Sequence, residues 1–190
     1  MGRPSKLTPE EIAIAFDFGA QFVADDVQTR LGWKIGGNDI DGRALLPVKT
    51  GAVGLVYRLK DDRPLRLNEI EFWGRLMANL IPPDTRWITH APSSMKCPAN
   101  EHLATLLAGF AAKAANDSAS EHFFVNNSPR GHRATMHEKL RETKNYTYSG
   151  PRSGDTIVVV DDVICTRSTA IACQAAAWPD ICYFVVLCEA

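Results

Sequence analysis

The run Thr156-Ile157-Val158-Val159-Val160 restricts the fold more than any other part of the chain. Five consecutive β-branched residues lose side-chain freedom in a helix and suit a pleated strand. Because no polar residue alternates with them, neither face of the strand is offered to water. Such a strand belongs in the middle of a parallel sheet, with helices over both faces. The run ends in two acids, Asp161 and Asp162, followed by a short loop with hydroxyls at Thr166, Ser168 and Thr169. Ser168 to Ala177 then reads as a helix and Cys182 to Leu187 as another strand.

The same alternation extends upstream. Trp87 to Pro92 reads as a strand entering a Pro/Ser loop, residues 100 to 115 as a helix with Leu103, Leu106, Leu107 and Phe110 inward, and His122 to Val125 as a strand. Strand–helix–strand order predicts an α/β domain with a mostly parallel sheet. Asn68 with Glu71 forms a capping-box pattern. Ile70, Trp73, Met77 and Leu80 continue it on one helical face, and Pro82-Pro83 ends it. Residues 51 to 60 fit either a helix or a strand. Residues 33 to 50 read as loop with a short strand at Ala44-Leu45-Leu46, and the polar stretch 126 to 150 reads as loop. Near the start, Thr8-Pro9-Glu10-Glu11 predicts a helix that stops by Gly32.

Composition excludes several classes. Hydrophobic residues make up 45% of the 190 residues, enough for an ordinary core, and the formal net charge of −1 gives no global attraction to nucleic acid or a membrane surface. Affinity for an anion must therefore come from a local site. No apolar stretch approaches the roughly 20 residues of a membrane span, and residues 1 to 10 lack the apolar core of a signal peptide, so a cytoplasmic protein is expected. The five cysteines (Cys97, Cys165, Cys173, Cys182, Cys188) show no CxxC pair and no zinc-ligand spacing, and are read as reduced thiols.

The chemistry concentrates at residues 161 to 169. In open α/β sheets, ligands bind beyond the carboxyl ends of the strands. A helix N-terminus offers unpaired amide N–H groups and the positive end of the helix dipole, which favour phosphate. Hydroxyls add donors, while carboxylates accept bonds from sugar hydroxyls or hold Mg²⁺ through water. The segment thus reads as a phosphate cup beside a sugar-diol clamp. A Mg²⁺-dependent NTPase or phosphohydrolase, or a receiver domain, shares the acidic strand end, although no P-loop GxxxxGK motif with a following Ser or Thr is present.

The nine residues Asp161-Asp162-Val163-Ile164-Cys165-Thr166-Arg167-Ser168-Thr169 resemble the phosphoribosyl pyrophosphate (PRPP) signature of type I phosphoribosyltransferases, an apolar strand followed by D-D-V-x-T-T-G-x-T. Both acids, one central threonine and the final threonine match. Arg167 stands where the family has glycine, and Cys165 where it has the first threonine. Arg58-Leu59-Lys60 followed by a helix and then by the Trp87–Pro92 strand, with the basic stretch 128 to 145 before the PRPP strand, resembles the ComF-like branch. The resemblance covers residues 50 to 190. It does not extend to residues 1 to 50, where ComF-like proteins often carry a cysteine-rich zinc segment and this chain has no cysteine.

The resemblance implies a Rossmann-like, mostly parallel sheet flanked by helices over residues 51–190; residues 1–50, outside it, are expected to form a helical, hood-like segment. It implies an enzyme that binds PRPP with Mg²⁺ and transfers ribose 5-phosphate to a nitrogenous base or amine, releasing pyrophosphate. Asp161 and Asp162 would hold the ribose hydroxyls and orient Mg²⁺, mainly through PRPP or water. Cys165, Thr166, Arg167, Ser168 and Thr169 would form the 5-phosphate loop. Pro92, Ser93 and Ser94, with Arg130 and Arg133 of a basic lid, would hold pyrophosphate. His90, His132 and His137 are candidates by chemistry alone for a general base. The alternative is a non-catalytic PRPP- or nucleotide-binding protein with a regulatory or nucleic-acid-uptake role. Nucleic acid is not expected as a direct ligand, and related enzymes often form homodimers.

Overall fold

The computed structural model describes residues 33–35, 40–46, 55–56, 59–60, 67–92, 102–127, 145–165 and 167–189. The helix expected over residues 8 to 31 lies outside them. Seven strands and three longer helices follow in order: β1 Trp33–Lys34, β2 Asp41–Leu46, α1 Leu67–Ala78, β3 Trp87–His90, α2 Leu103–Asn116, β4 Phe124–Asn126, β5 Tyr146–Tyr148, β6 Thr156–Ile164, α3 Ser168–Ala177 and β7 Ile181–Glu189. Leu55–Val56 and Leu59–Lys60 are helical, which resolves the ambiguity of that segment.

The main sheet has the order β1-β2-β7-β6-β3. β2, β7, β6 and β3 run parallel and β1 is antiparallel to β2. The expected α/β class with a mostly parallel sheet is thus present. Residues 33–46, read as mainly loop, instead supply two strands of this sheet. Gly42 lies within β2 because the β7 backbone at Phe184 crowds it: a Cβ would overlap the Phe184 carbonyl.

β6 is buried on both faces, with Ile157, Val158, Val159 and Val160 all fully inaccessible. Successive side chains of a strand point to opposite faces. Val158 and Val160 join Ile88, Val185 and Leu187 against α1 and α2, whereas Ile157 and Val159 join Phe184 and Val186 against α3 and β5. Helix α1 approaches α2 closely at Gly74, where a Cβ would lie 2.6 Å from the Phe110 Cβ. Beyond α1, the amides of Asn79, Leu80 and Ile81 bond three residues back, and the turn stops at Pro82, which has no N–H to continue it.

The segment after α2 departs from the expected alternation. Phe124–Asn126 does not enter the main sheet but pairs antiparallel with Tyr146–Tyr148. A parallel bridge, Thr89 to Glu121, and side-chain hydrogen bonds of Thr89 and His90 join this region to the outer edge of β3. Among the described residues, no helix is long and apolar enough to cross a membrane.

Buried Asp180 ties the entry of β6 to that of β7. It accepts hydrogen bonds from the Tyr148 hydroxyl (2.6 Å) and the amides of Arg152 (2.8 Å) and Gly154 (2.8 Å). Burial alone raises a carboxyl pKa, but these bonds outweigh it and hold Asp180 below its usual range.

Candidate functional site

The chain leaves β3 and β6 in opposite directions. From β3 it passes through α2 to Glu121, on the outer side of β3. From β6 it passes through α3 to β7, on the other side. The two helices cover opposite faces. The carboxyl ends of β3 and β6 therefore flank a topological switch point, where open α/β sheets leave a crevice for ligands. Pairing holds these ends together as far as Ala91, whose amide donates to the Val160 carbonyl at 2.8 Å. Buried Pro92 follows directly.

Asp161 and Asp162 stand at this edge, but β6 continues through both, to Ile164 paired with Glu189. Strand alternation therefore sends the two carboxylates to opposite faces. Asp162 follows Val160 toward α1 and α2. It is buried, and its Oδ2 lies 2.9 Å from Lys60 Nζ, with 5% and 29% of the two side chains exposed. Leu59, fully buried, anchors the short helical segment that delivers Lys60. His102, at the start of α2, shares this neighbourhood. Burial holds it below the ordinary imidazole range; Asp162 opposes that shift and Lys60 adds to it. His102 Nδ1 is buried without a hydrogen-bond partner among the described residues.

Asp161 turns to the α3 side and is partly exposed. Its Oδ1 accepts the Asp162 amide at 2.8 Å. Tyr146 of β5 faces it. Burial first, then Cys173, pushes the Tyr146 phenol well above its usual range; Asp161 adds to this, and a hydrogen bond with the Thr169 side chain opposes it. One acid thus sits beside a lysine and a histidine, the other beside a tyrosine and the start of α3.

Arg167 begins α3 in a left-handed conformation, φ 59° and ψ −3°. Glycine reaches that region without penalty, whereas another residue gives up about 1–2 kcal/mol. The position at which the PRPP signature has glycine thus has the backbone that glycine favours. The Arg167 carbonyl accepts the Ile171 amide at 2.9 Å, the first bond of the helix. At any helix start the first amides are not used by the helix itself and can bond groups beyond its end. Ser168 and Thr169 put their hydroxyls on this turn. Cys165 is exposed at the end of β6. Its neighbour Cys188 is buried, which pushes that thiol up to about 12, with Asp162, Cys165 and Glu189 adding to the shift.

Thr166, Ser93, Ser94, Arg130, Arg133, His132 and His137 lie outside the described residues. His90 ends β3, and its pKa is lowered to about 4, chiefly by burial. Three site neighbours carried no role in the sequence reading: Lys60, His102 and Tyr146. The alternating Tyr146-Thr147-Tyr148 signals a strand, and hence an inward Tyr146, but it was obscured by the polar stretch around it. Among the described residues, no group of three or more His, Cys, Asp or Glu is placed to hold a metal ion. No protein-family model matches the chain, and no curated protein shows significant similarity to it.

Proposed function

We propose that the chain is a phosphoribosyltransferase-like protein of the ComF-like branch, built on the type I phosphoribosyltransferase fold. It binds PRPP with Mg²⁺ at the carboxyl ends of β3 and β6 and transfers ribose 5-phosphate to a nitrogenous base or amine, releasing pyrophosphate. The observation that carries this reading is the left-handed Arg167 at the start of α3, three residues beyond the end of β6, the strand that carries Asp161 and Asp162 at the switch point.

The amides and hydroxyls of Ser168 and Thr169 hold the 5-phosphate, and the Arg167 guanidinium adds a charged donor. Asp161 accepts the ribose hydroxyls. Asp162, fixed by Lys60, anchors the strand edge that carries Asp161. Cleavage at the anomeric carbon builds positive charge on the sugar, so positioning and charge complementarity account for the rate, without a protein nucleophile. Mg²⁺ commonly keeps its waters and uses one or two carboxylates plus substrate phosphates, and Asp161 suits that sparse set. When bound, it neutralises the diphosphate leaving group.

Calorimetric titration with PRPP and Mg²⁺ tests binding. Asp161→Asn is expected to weaken it more than tenfold; unchanged affinity refutes the site. The ion pair of Asp162 with Lys60 favours a second reading, binding without transfer, because it engages one of the two acids. Pyrophosphate release with a panel of bases separates the two.

A further inference from the structure

A cavity of about 570 Å³ lies along the outer edge of β3, between the solvent side of α2 and the segment leading to β4. We propose that it is a second ligand site, separate from the phosphoribosyl crevice, for a planar aromatic carboxylate that also carries a hydrogen-bond donor such as a ring hydroxyl.

Three features of the wall specify this chemistry. First, Leu106 and Phe110, one helical turn apart, form an apolar side for a flat ring. Gly109 between them is open: a Cβ there would meet nothing within 4 Å. A glycine inside a helix costs about 1 kcal/mol relative to alanine. Neighbouring protein atoms do not demand it, but a ring lying against the helix backbone does. Second, Lys113 lines the cavity with a cation, and among the described residues no acid lines it, which selects an anion.

Third, His122 presents an acceptor. His90 Nδ1 lies 3.1 Å from the Ala91 carbonyl, which can only accept, so Nδ1 carries the hydrogen. His90 Nε2 is then a lone pair, and it receives the hydrogen of His122 Nδ1 at 2.7 Å. In neutral His122, Nε2 is therefore the remaining lone pair. Buried His90 fixes this tautomer, with the rings packed edge to face at 4.7 Å between centroids. Thr105 and Ser120 complete the lining with hydroxyls. A ligand that satisfies the wall has an apolar ring, an anion for Lys113 and a donor for His122.

The test uses 6-hydroxy-2-naphthoate as probe at pH 8, followed by ligand-observed NMR on the full chain. 2-Naphthoate lacks the donor and 2-naphthol lacks the anion. The hydroxynaphthoate is expected to bind about fivefold or more tightly than either control, the size of one exposed charged or hydrogen-bonded contact. Gly109→Leu places a side chain in the cavity, its Cβ meeting nothing within 4 Å, and is expected to abolish probe binding, to raise the melting temperature slightly because the helix loses a glycine, and to leave the PRPP titration unchanged. His122→Phe is expected to erase the preference over 2-naphthoate, a readout that holds even if the leucine variant folds poorly. No binding of the probe at millimolar concentration, equal binding of the controls, or full binding by a folded Gly109→Leu chain overturns the proposal. The phosphoribosyl reading stands or falls separately, on the PRPP titration.

Discussion

Removing the Asp162 carboxylate tests the division of labour between the two acids. The Asp162–Lys60 contact is 2.9 Å long. At that distance and an effective dielectric of about 20, the attraction is on the order of 6 kcal/mol before desolvation is subtracted. Asp162 is buried but Lys60 is 29% exposed, so water reaches one end of the pair. Losing one partner of a fully buried pair costs about 3–5 kcal/mol. The partial exposure of Lys60 places Asp162→Asn near the lower end, at about 2–3 kcal/mol, or about 5–10 °C in melting temperature for a chain of this size. Lys60→Met, which strands a buried carboxylate, is expected to cost at least as much. The double variant Lys60→Met with Asp162→Leu is expected to recover about 2 kcal/mol of the summed loss. Asp161→Asn, at a partly exposed position and retaining its Oδ1 acceptor, is expected to change stability by less than about 0.5 kcal/mol. Urea unfolding of the four variants measures all of this. Equal losses at Asp161 and Asp162, or no coupling with Lys60, refute the assignment of one acid to structure and the other to ligand.

Three further outcomes follow from the same geometry. His90 is held neutral, with its pKa lowered from 6.5 to about 4. Its contribution is therefore complete above pH 6.5 and is lost as pH falls toward 4, by about 3 kcal/mol; His90→Asn is expected to flatten denaturation curves measured across that window. Asp180 is held below its usual range, so its contribution persists to lower pH and is lost only as acid protonates it in the folded state; Asp180→Asn is expected to lower stability at pH 7 by about 2 kcal/mol, because a charged acceptor is lost, and calorimetry measures the change. Arg167→Gly relieves left-handed strain of about 1–2 kcal/mol but loosens the unfolded chain by about 0.4–1 kcal/mol. The melting temperature is expected to rise slightly while PRPP affinity falls about tenfold; tighter PRPP binding contradicts the role given to the guanidinium.

The β6–loop–α3 unit was legible in the sequence because its signals are local: an unbroken β-branched run, then hydroxyls at a helix start. Helix α3 falls at the expected residues, Ser168 to Ala177. Partnerships between distant segments were not legible. Periodicity places Asp162 on a face but does not say that Lys60 will meet it there, and reading the strand as ending at Val160 hid that the two acids diverge. β5 escaped notice because three residues in a polar stretch gain burial only from distant partners, β4 and the core beneath α3. In β2, Asp41 and Gly42 look like loop, and only the parallel partner β7 makes them a strand.

The central claim is that the start of α3 cradles a sugar phosphate beside Asp161. A crystal structure of the chain soaked with ribose 5-phosphate tests it most directly. The account predicts the phosphate within hydrogen-bond distance of the Ser168 and Thr169 amides, about 2.7–3.2 Å, with the ribose hydroxyls turned to the Asp161 carboxylate. A sugar phosphate seated elsewhere, with the first turn of α3 closed against protein, contradicts it.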